Sequence, residues 1–209
     1  MARDTRERLI RTTGRLLRQQ GYAATGLNQV VAEAEAPKGS MYFHFPGGKE
    51  ELAAAAIDRF AQRVSDHTTR ELEATGSVAV AYSRFIDGYV ERLEASRFRD
   101  GCAVATVSVE SPPDLDELAA ATGRALRLWT SDFAAALEDE GHPADHAHRL
   151  ATLAVATLEG SIVMAKGERS SEPLVAAREA LLPLLAAPPT PAGPSPGTPA
   201  DETSEAPAP

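Results

Sequence analysis

GYAATGLNQVVAEAEAPKGSMYFHFPGGKEEL, residues 21–52, is the stretch on which the reading of the whole chain turns. From Leu27 to Glu35, the apolar residues Leu27, Val30, Val31 and Ala34 recur on one stripe, which predicts a short helix packed on a core. Thr25 stands where an N-cap belongs, its hydroxyl able to accept from a free amide of the first turn. The chain breaks at Glu35-Ala36-Pro37, and a second short helix is expected from Pro37 to Phe45. Proline suits a first helical position, because its φ is already set and no amide is wasted. Two short helices joined by a tight turn make a helix-turn-helix. The second helix carries Lys38, Gly39, Ser40, Tyr42 and His44, a mix of one fixed cation, hydrogen-bond formers and a glycine that permits close backbone approach. Such groups position a protein on a phosphate backbone. This is the reading helix of a DNA-binding motif.

With Gly21, Thr25, the run Lys38-Gly39-Ser40-Met41-Tyr42-Phe43-His44-Phe45 and Lys49-Glu50-Glu51-Leu52, the sequence resembles the TetR family of transcriptional repressors. The run from Ala24 to Leu52 and the later Gly101-Cys102 pair resemble its LmrA/YxaF-type subgroup. The resemblance is dense over roughly the first 60 residues. It implies an all-α fold, with a DNA-binding domain over residues 3–63 (helix-turn-helix at about 26–45) and a ligand-binding and dimerisation domain over 75–187. It implies DNA contacts from Thr25, Asn28, Lys38, Gly39, Ser40, Tyr42, His44 and Lys49, the last to phosphate. Two residues depart from the family pattern. Glu35 occupies a turn position usually held by glycine, at a cost of about 1 kcal/mol if its φ is positive. Phe43 replaces a frequent tyrosine and cannot donate to phosphate, so it is expected to pack beneath the helix.

Charge supports the division. The chain carries −9 overall, yet residues 1–50 hold eight Lys/Arg against five Asp/Glu, and the remainder 13 against 25. A basic end on an acidic body fits one nucleic-acid-binding domain. A lone cysteine, Cys102, excludes an intrachain disulfide and fits a reducing compartment. The charged start MARDTRERLIRT is unlike a signal peptide, and no apolar run of membrane-spanning length is expected, so a cytoplasmic protein without a membrane partner is anticipated.

The first helix, residues 4–20, repeats Leu9, Ile10, Thr13, Leu16 and Leu17 on one face, and Gly21 should end it. A long helix from Lys49 to Leu72 follows, with Leu52, Ala56, Phe60 and Val64 inward. Further helices are expected at 77–96, 101–110, 115–140, 144–167 and 172–186, separated by breaks such as Pro112-Pro113 and Gly141-His142-Pro143. The last two are rich in apolar residues, among them Leu150, Leu153, Leu158, Ile162, Leu174 and Leu181. They make either a monomer core or, as the resemblance implies, a four-helix homodimer interface. Residues 188–209 are proline-rich and acidic, a composition that predicts disorder.

Phe85, Tyr89, Trp129, Phe133 and Met164 fall on the middle helices. Aromatics at helical spacing are usually core, but the resemblance implies a cavity there for a small hydrophobic or aromatic effector. Cys102, most simply a small buried apolar residue, is also a candidate for redox sensing or for that cavity. His142, His146 and His148 lack the spacing of a metal site, and no phosphate loop, dinucleotide turn or nucleophile elbow occurs. Neither a cofactor nor enzymatic activity is expected. The expected function is a dimeric repressor, released from a palindromic double-stranded operator by its effector. The alternative is a helical ligand-binding or scaffolding protein whose helix-turn-helix no longer reads DNA, for which Glu35 is the best argument.

Overall fold

A computed structural model describes residues 2–110 and 115–186, so the Pro112-Pro113 break and the tail at 188–209 lie outside the described residues. Among the described residues there are nine helices and no strand, the all-α architecture expected. They are α1 (Ala2–Ala24), α2 (Leu27–Glu33), α3 (Ser40–His44), α4 (Gly48–Thr75), α5 (Val78–Ala95), α6 (Ala103–Glu110), α7 (Asp116–Asp139), α8 (Ala144–Glu168) and α9 (Glu172–Ala186).

The α1 stripe is buried as its spacing demands, Leu9 through Leu17 included. Gly21, at φ 77° and ψ −176°, breaks the helix in a conformation open essentially to glycine alone. Thr25 does not cap α2. Its hydroxyl turns back to the Gly21 carbonyl at 2.5 Å, its side chain is buried, and Gly26 is the N-cap. α2 stops at Glu33, and Glu35 takes φ 49°, so the strained left-handed turn is real. Arg8 Nη2 donates to the Glu35 carbonyl at 3.3 Å and supports that turn from α1. α3 is shorter than expected. Lys38 and Gly39 belong to the turn, and the Ser40 amide closes it onto the Pro37 carbonyl at 2.9 Å.

α4 is the spine. Its small residues Ala53, Ala54, Ala56 and Ala61 are buried and let α7 approach closely along its length. It ends at Gly76, whose φ of 61° makes a left-handed cap. α8 packs against α7 and α9, and α9 against α5. By length and composition alone α8 is apolar enough to cross a bilayer, contrary to the sequence expectation. Ala151, Ala154, Leu158, Ile162 and Ala165 on it are instead buried in the helical core.

Candidate nucleic-acid interface and effector cavity

α3 is held by Met41 and Phe45, four residues apart on one face and both essentially fully buried. The opposite face is therefore outward. Tyr42 is 64% exposed and Phe43 78% exposed, so Phe43 does not pack beneath the helix as expected. It stands edge-on to His44, with ring centroids 5.0 Å apart. Asn28, Lys38 and Gly39 are exposed beside it, and nothing lies within 4 Å of where a Cβ on Gly39 would be. Ser40 spends its hydroxyl locally, donating to the Pro37 carbonyl at 2.7 Å. Lys49 is half-buried at the start of α4. Its Nζ lies 3.3 Å from the Ala23 carbonyl and 4.2 Å from the Tyr22 ring centroid. Burial lowers its pKa, an effect that nearby Glu110 opposes. Seven of the eight expected contact residues thus keep a surface position around α3, while buried Thr25 shapes the corner that carries them.

In the second half, Phe85 and Tyr89 of α5 and Trp129 and Phe133 of α7 surround a narrow slot of about 20 Å³. The Trp129 indole N–H donates to the Ala61 carbonyl at 3.0 Å, so this wall is bonded directly to α4. Glu159 of α8 closes the slot, and nothing in the expected site included it. Burial raises its carboxyl pKa to about 7, and the Cys102 thiol, hydrogen-bonded to it, is itself pushed well up by burial. Glu159 Oε2 has no hydrogen-bond partner. An acid on the inward face of α8, between Val155 and Ile162, was the sequence signal for it. Cys102 therefore adjoins the slot. Met164 does not: it is 54% exposed, because six residues beyond Leu158 rotate it about 240° around α8. Across Phe85 and Tyr89 the slot borders an open cleft of about 510 Å³.

The expected dimer residues need a parallel correction. Leu150, Leu158, Ile162, Leu174 and Leu181 are all buried within the single chain, where α8 and α9 meet each other and α5 and α7. Of the six only Leu153, 44% exposed, is free to meet a second copy. It lies instead on a stripe of α8 with exposed Ala156, Gly160, Val163 and Met164, and α9, which packs on α8, exposes Ala180 and Leu184.

Carboxylate and backbone contacts join the two halves. Glu110 at the end of α6 accepts from the amides of Tyr22 and Ala23. Glu50 accepts from the amides of Glu117 and Leu118, at 3.0 and 3.3 Å, where α7 starts. Asp58 takes Arg124 through both oxygens, and the Gly101 amide donates to the Arg18 carbonyl at 3.1 Å.

Comparison with known proteins agrees with this geometry. The profile described as bacterial regulatory proteins, tetR family, matches residues 9–56. That of the transcriptional regulator LmrA/YxaF-like C-terminal domain matches residues 78–180. An uncharacterized HTH-type transcriptional regulator of Mycobacterium tuberculosis is 36% identical over 174 residues, covering 81% of this chain and 88% of the relative. The HTH-type transcriptional regulator LmrA of Bacillus subtilis is 31% identical over 172 residues, covering 82% of this chain and 92% of its own. The crystal structure of reduced NemR from Escherichia coli, a protein named as an HTH-type transcriptional repressor, superposes with a TM-score of 0.72 at 26% identity, over 88% of this chain and 98% of that one.

Proposed function

The chain belongs to the TetR family of transcriptional regulators, with a C-terminal domain of the LmrA/YxaF type, and from that premise we propose a homodimeric repressor released from a palindromic operator by a small effector. The DNA-binding domain spans residues 3–63 and the effector and dimer domain 75–187, with α4 running through both. The observation that carries the reading is the bond from Trp129 to the Ala61 carbonyl. It ties the aromatic slot to the same helix whose first turn holds Lys49 beside α3. An occupant that parts Trp129 from Phe85 moves α4, and with it the spacing of two reading helices that must lie about 34–36 Å apart on DNA.

The second copy docks on the uncharged stripe from Leu153 to Met164 and its α9 neighbours, making an isologous contact. The alternative, a helix-turn-helix that no longer reads DNA, rests on the strain at Glu35. Against it, Arg8 donates to the Glu35 carbonyl and braces the turn, and α3 keeps its outward face.

A gel shift against DNA from upstream of the protein's own gene tests the reading, followed by a compound screen for release. Release a hundredfold requires about 2.7 kcal/mol of differential binding. A releasing compound should change Trp129 emission, and DNA should weaken that compound by the same factor. No shift on any upstream fragment, or a compound that binds free and DNA-bound protein equally, would overturn the proposal.

A further inference from the structure

The open cleft beside the aromatic slot has the wrong charge for its surroundings. The chain outside residues 1–50 carries twelve more acids than Lys/Arg, yet Arg63, Arg70 and Arg92 of that part, joined by Arg18 of α1, line this cleft against Asp66 and Asp100. Both acids are already engaged. Asp66 accepts from Gln62 at 2.8 Å, and Asp100 from Gln19 at 2.9 Å with Arg18 at 3.9 Å. Arg63 and Arg70 are exposed and have no carboxylate within ion-pair distance among the described residues. Arg92 lies over the Tyr89 ring, its Cζ 4.3 Å from the centroid. Burial lowers the Arg18 pKa, Asp100 and Tyr89 oppose that, and Arg63 and Arg92 add smaller like-charge contributions.

Beneath the arginines the floor is aromatic. Phe85 and Tyr89 lie with ring centroids 5.6 Å apart, and His67 stands 5.8 Å from Phe85. The same two rings form the wall of the slot that ends at the unpartnered Glu159 Oε2. DNA does not explain the cations. Arg63 and Arg70 follow Lys49 by 14 and 21 residues on one helix, about 21 and 32 Å along its axis. The volume, about 510 Å³, is that of a small-molecule site.

We propose that this cleft takes an aromatic organic anion, its acidic group between Arg63, Arg70 and Arg92, its rings on Phe85 and Tyr89, and a hydrogen-bond donor directed inward to Glu159. This rests on the effector reading above and names its chemistry. An anion relieves the like-charge crowding, a planar ring adds to the aromatic stack, and a donor satisfies the orphaned Glu159 oxygen. A neutral aromatic of the same shape satisfies only the second of these.

A matched pair of fluorescent probes tests it on the full-length protein without DNA. 8-Anilinonaphthalene-1-sulfonate has the anion, the rings and an N–H donor; N-phenyl-1-naphthylamine is the same scaffold without the sulfonate. The sulfonate should bind at least tenfold more tightly and quench Trp129 by energy transfer. The double variant Arg63→Gln/Arg70→Gln should weaken it tenfold or more and leave the neutral probe unchanged. Arg149→Gln, exposed on α8, should alter neither. Equal affinity for the two probes, sulfonate binding that ignores the double substitution, or no sulfonate binding would each overturn the assignment. The probe pair in the wild type decides even where the double variant does not fold. Release of DNA by neutral compounds alone would sink this inference and leave the effector reading intact. Sulfonate bound as described, with no compound releasing DNA, would do the reverse.

Discussion

The carboxylate of Glu110, the last residue of α6, accepts the backbone amide of Tyr22 at 2.6 Å and that of Ala23 at 3.2 Å. It thereby holds the corner from which the helix-turn-helix starts. Gly21 is required at that corner twice over. Its φ is 77°, and a Cβ there would meet Glu110 Oε1 at 2.0 Å. At its other end α6 begins beside Cys102, which is hydrogen-bonded to Glu159 in the slot. One eight-residue helix therefore spans from the slot to the DNA-binding corner, a shorter route than the length of α4.

If α6 carries the signal, Glu110→Ala should leave the reading helix intact and blunt the response. The exposed contact is worth roughly 1 kcal/mol of stability. The ratio of DNA affinities without and with effector should fall at least threefold, measured by anisotropy on a labelled operator. An unchanged ratio would leave α4 as the sole route.

Lys49 is oriented before any DNA arrives, by the Ala23 carbonyl and the Tyr22 ring. Lys49→Ala should weaken binding to all sequences alike and flatten the salt dependence by about one unit of slope per lost contact, two per dimer. Affinities at four salt concentrations give the slope. An unaltered slope would remove Lys49 from the phosphate contacts.

Phe43 is the largest apolar group left in water on the reading face, and a phenyl ring there suits the 5-methyl group of thymine. Burying one methyl is worth about 0.8 kcal/mol, about fourfold per half-site. Replacing operator thymines by deoxyuridine, one at a time, should show that loss at a single symmetric position. Phe43→Ala should abolish the difference there. Loss at the same position in both proteins would place the methyl against another residue.

The dimer face gives opposite results for two residues on one helix. Val163, 57% exposed, tolerates arginine within the chain, so Val163→Arg should give a folded monomer with weak operator binding. Leu158, 6% exposed, does not, and Leu158→Arg should lower stability by several kcal/mol through an unpaired buried charge. Sedimentation and thermal melts separate the two effects. A dimeric Val163→Arg protein would move the interface elsewhere.

The helices were legible because each is punctuated: glycine at 21, 76 and 141, prolines between, and a regular apolar period inside. The observed limits of α4 to α9 fall within three residues of those expected. What the period cannot tell is which apolar face meets its own chain and which meets another. Leu150, Leu158 and Ile162 look like interface residues in a string and are core in space, because α8 is apolar nearly all round. Phe43 was misread for a similar reason, since a five-residue helix is too short for a period to declare its inward face. Glu159 and the cleft arginines were invisible as a site because they come from α1, α4, α5 and α8, and only packing assembles them.

Glu159 makes the last prediction, a dependence of stability on pH. Its inner oxygen is enclosed and unpartnered, and burial lifts the carboxyl from its ordinary value near 4.5 to about 7. The sign follows from proton counting. Between those two values the folded chain holds a proton that the unfolded chain has released, so raising the pH favours unfolding. This contribution should be absent below about pH 4.5, grow as pH rises, and level off above about pH 7, at up to roughly 3 kcal/mol for a shift of this size. Glu159→Gln keeps the shape and removes the titration. It should therefore be more stable than the parent at pH 8, close to it at pH 5, and flatter between. Urea melts of both proteins at half-unit pH steps measure the difference directly. Parallel curves for the two would mean that Glu159 ionises in the folded chain as it does in water, through an opening of the slot to solvent.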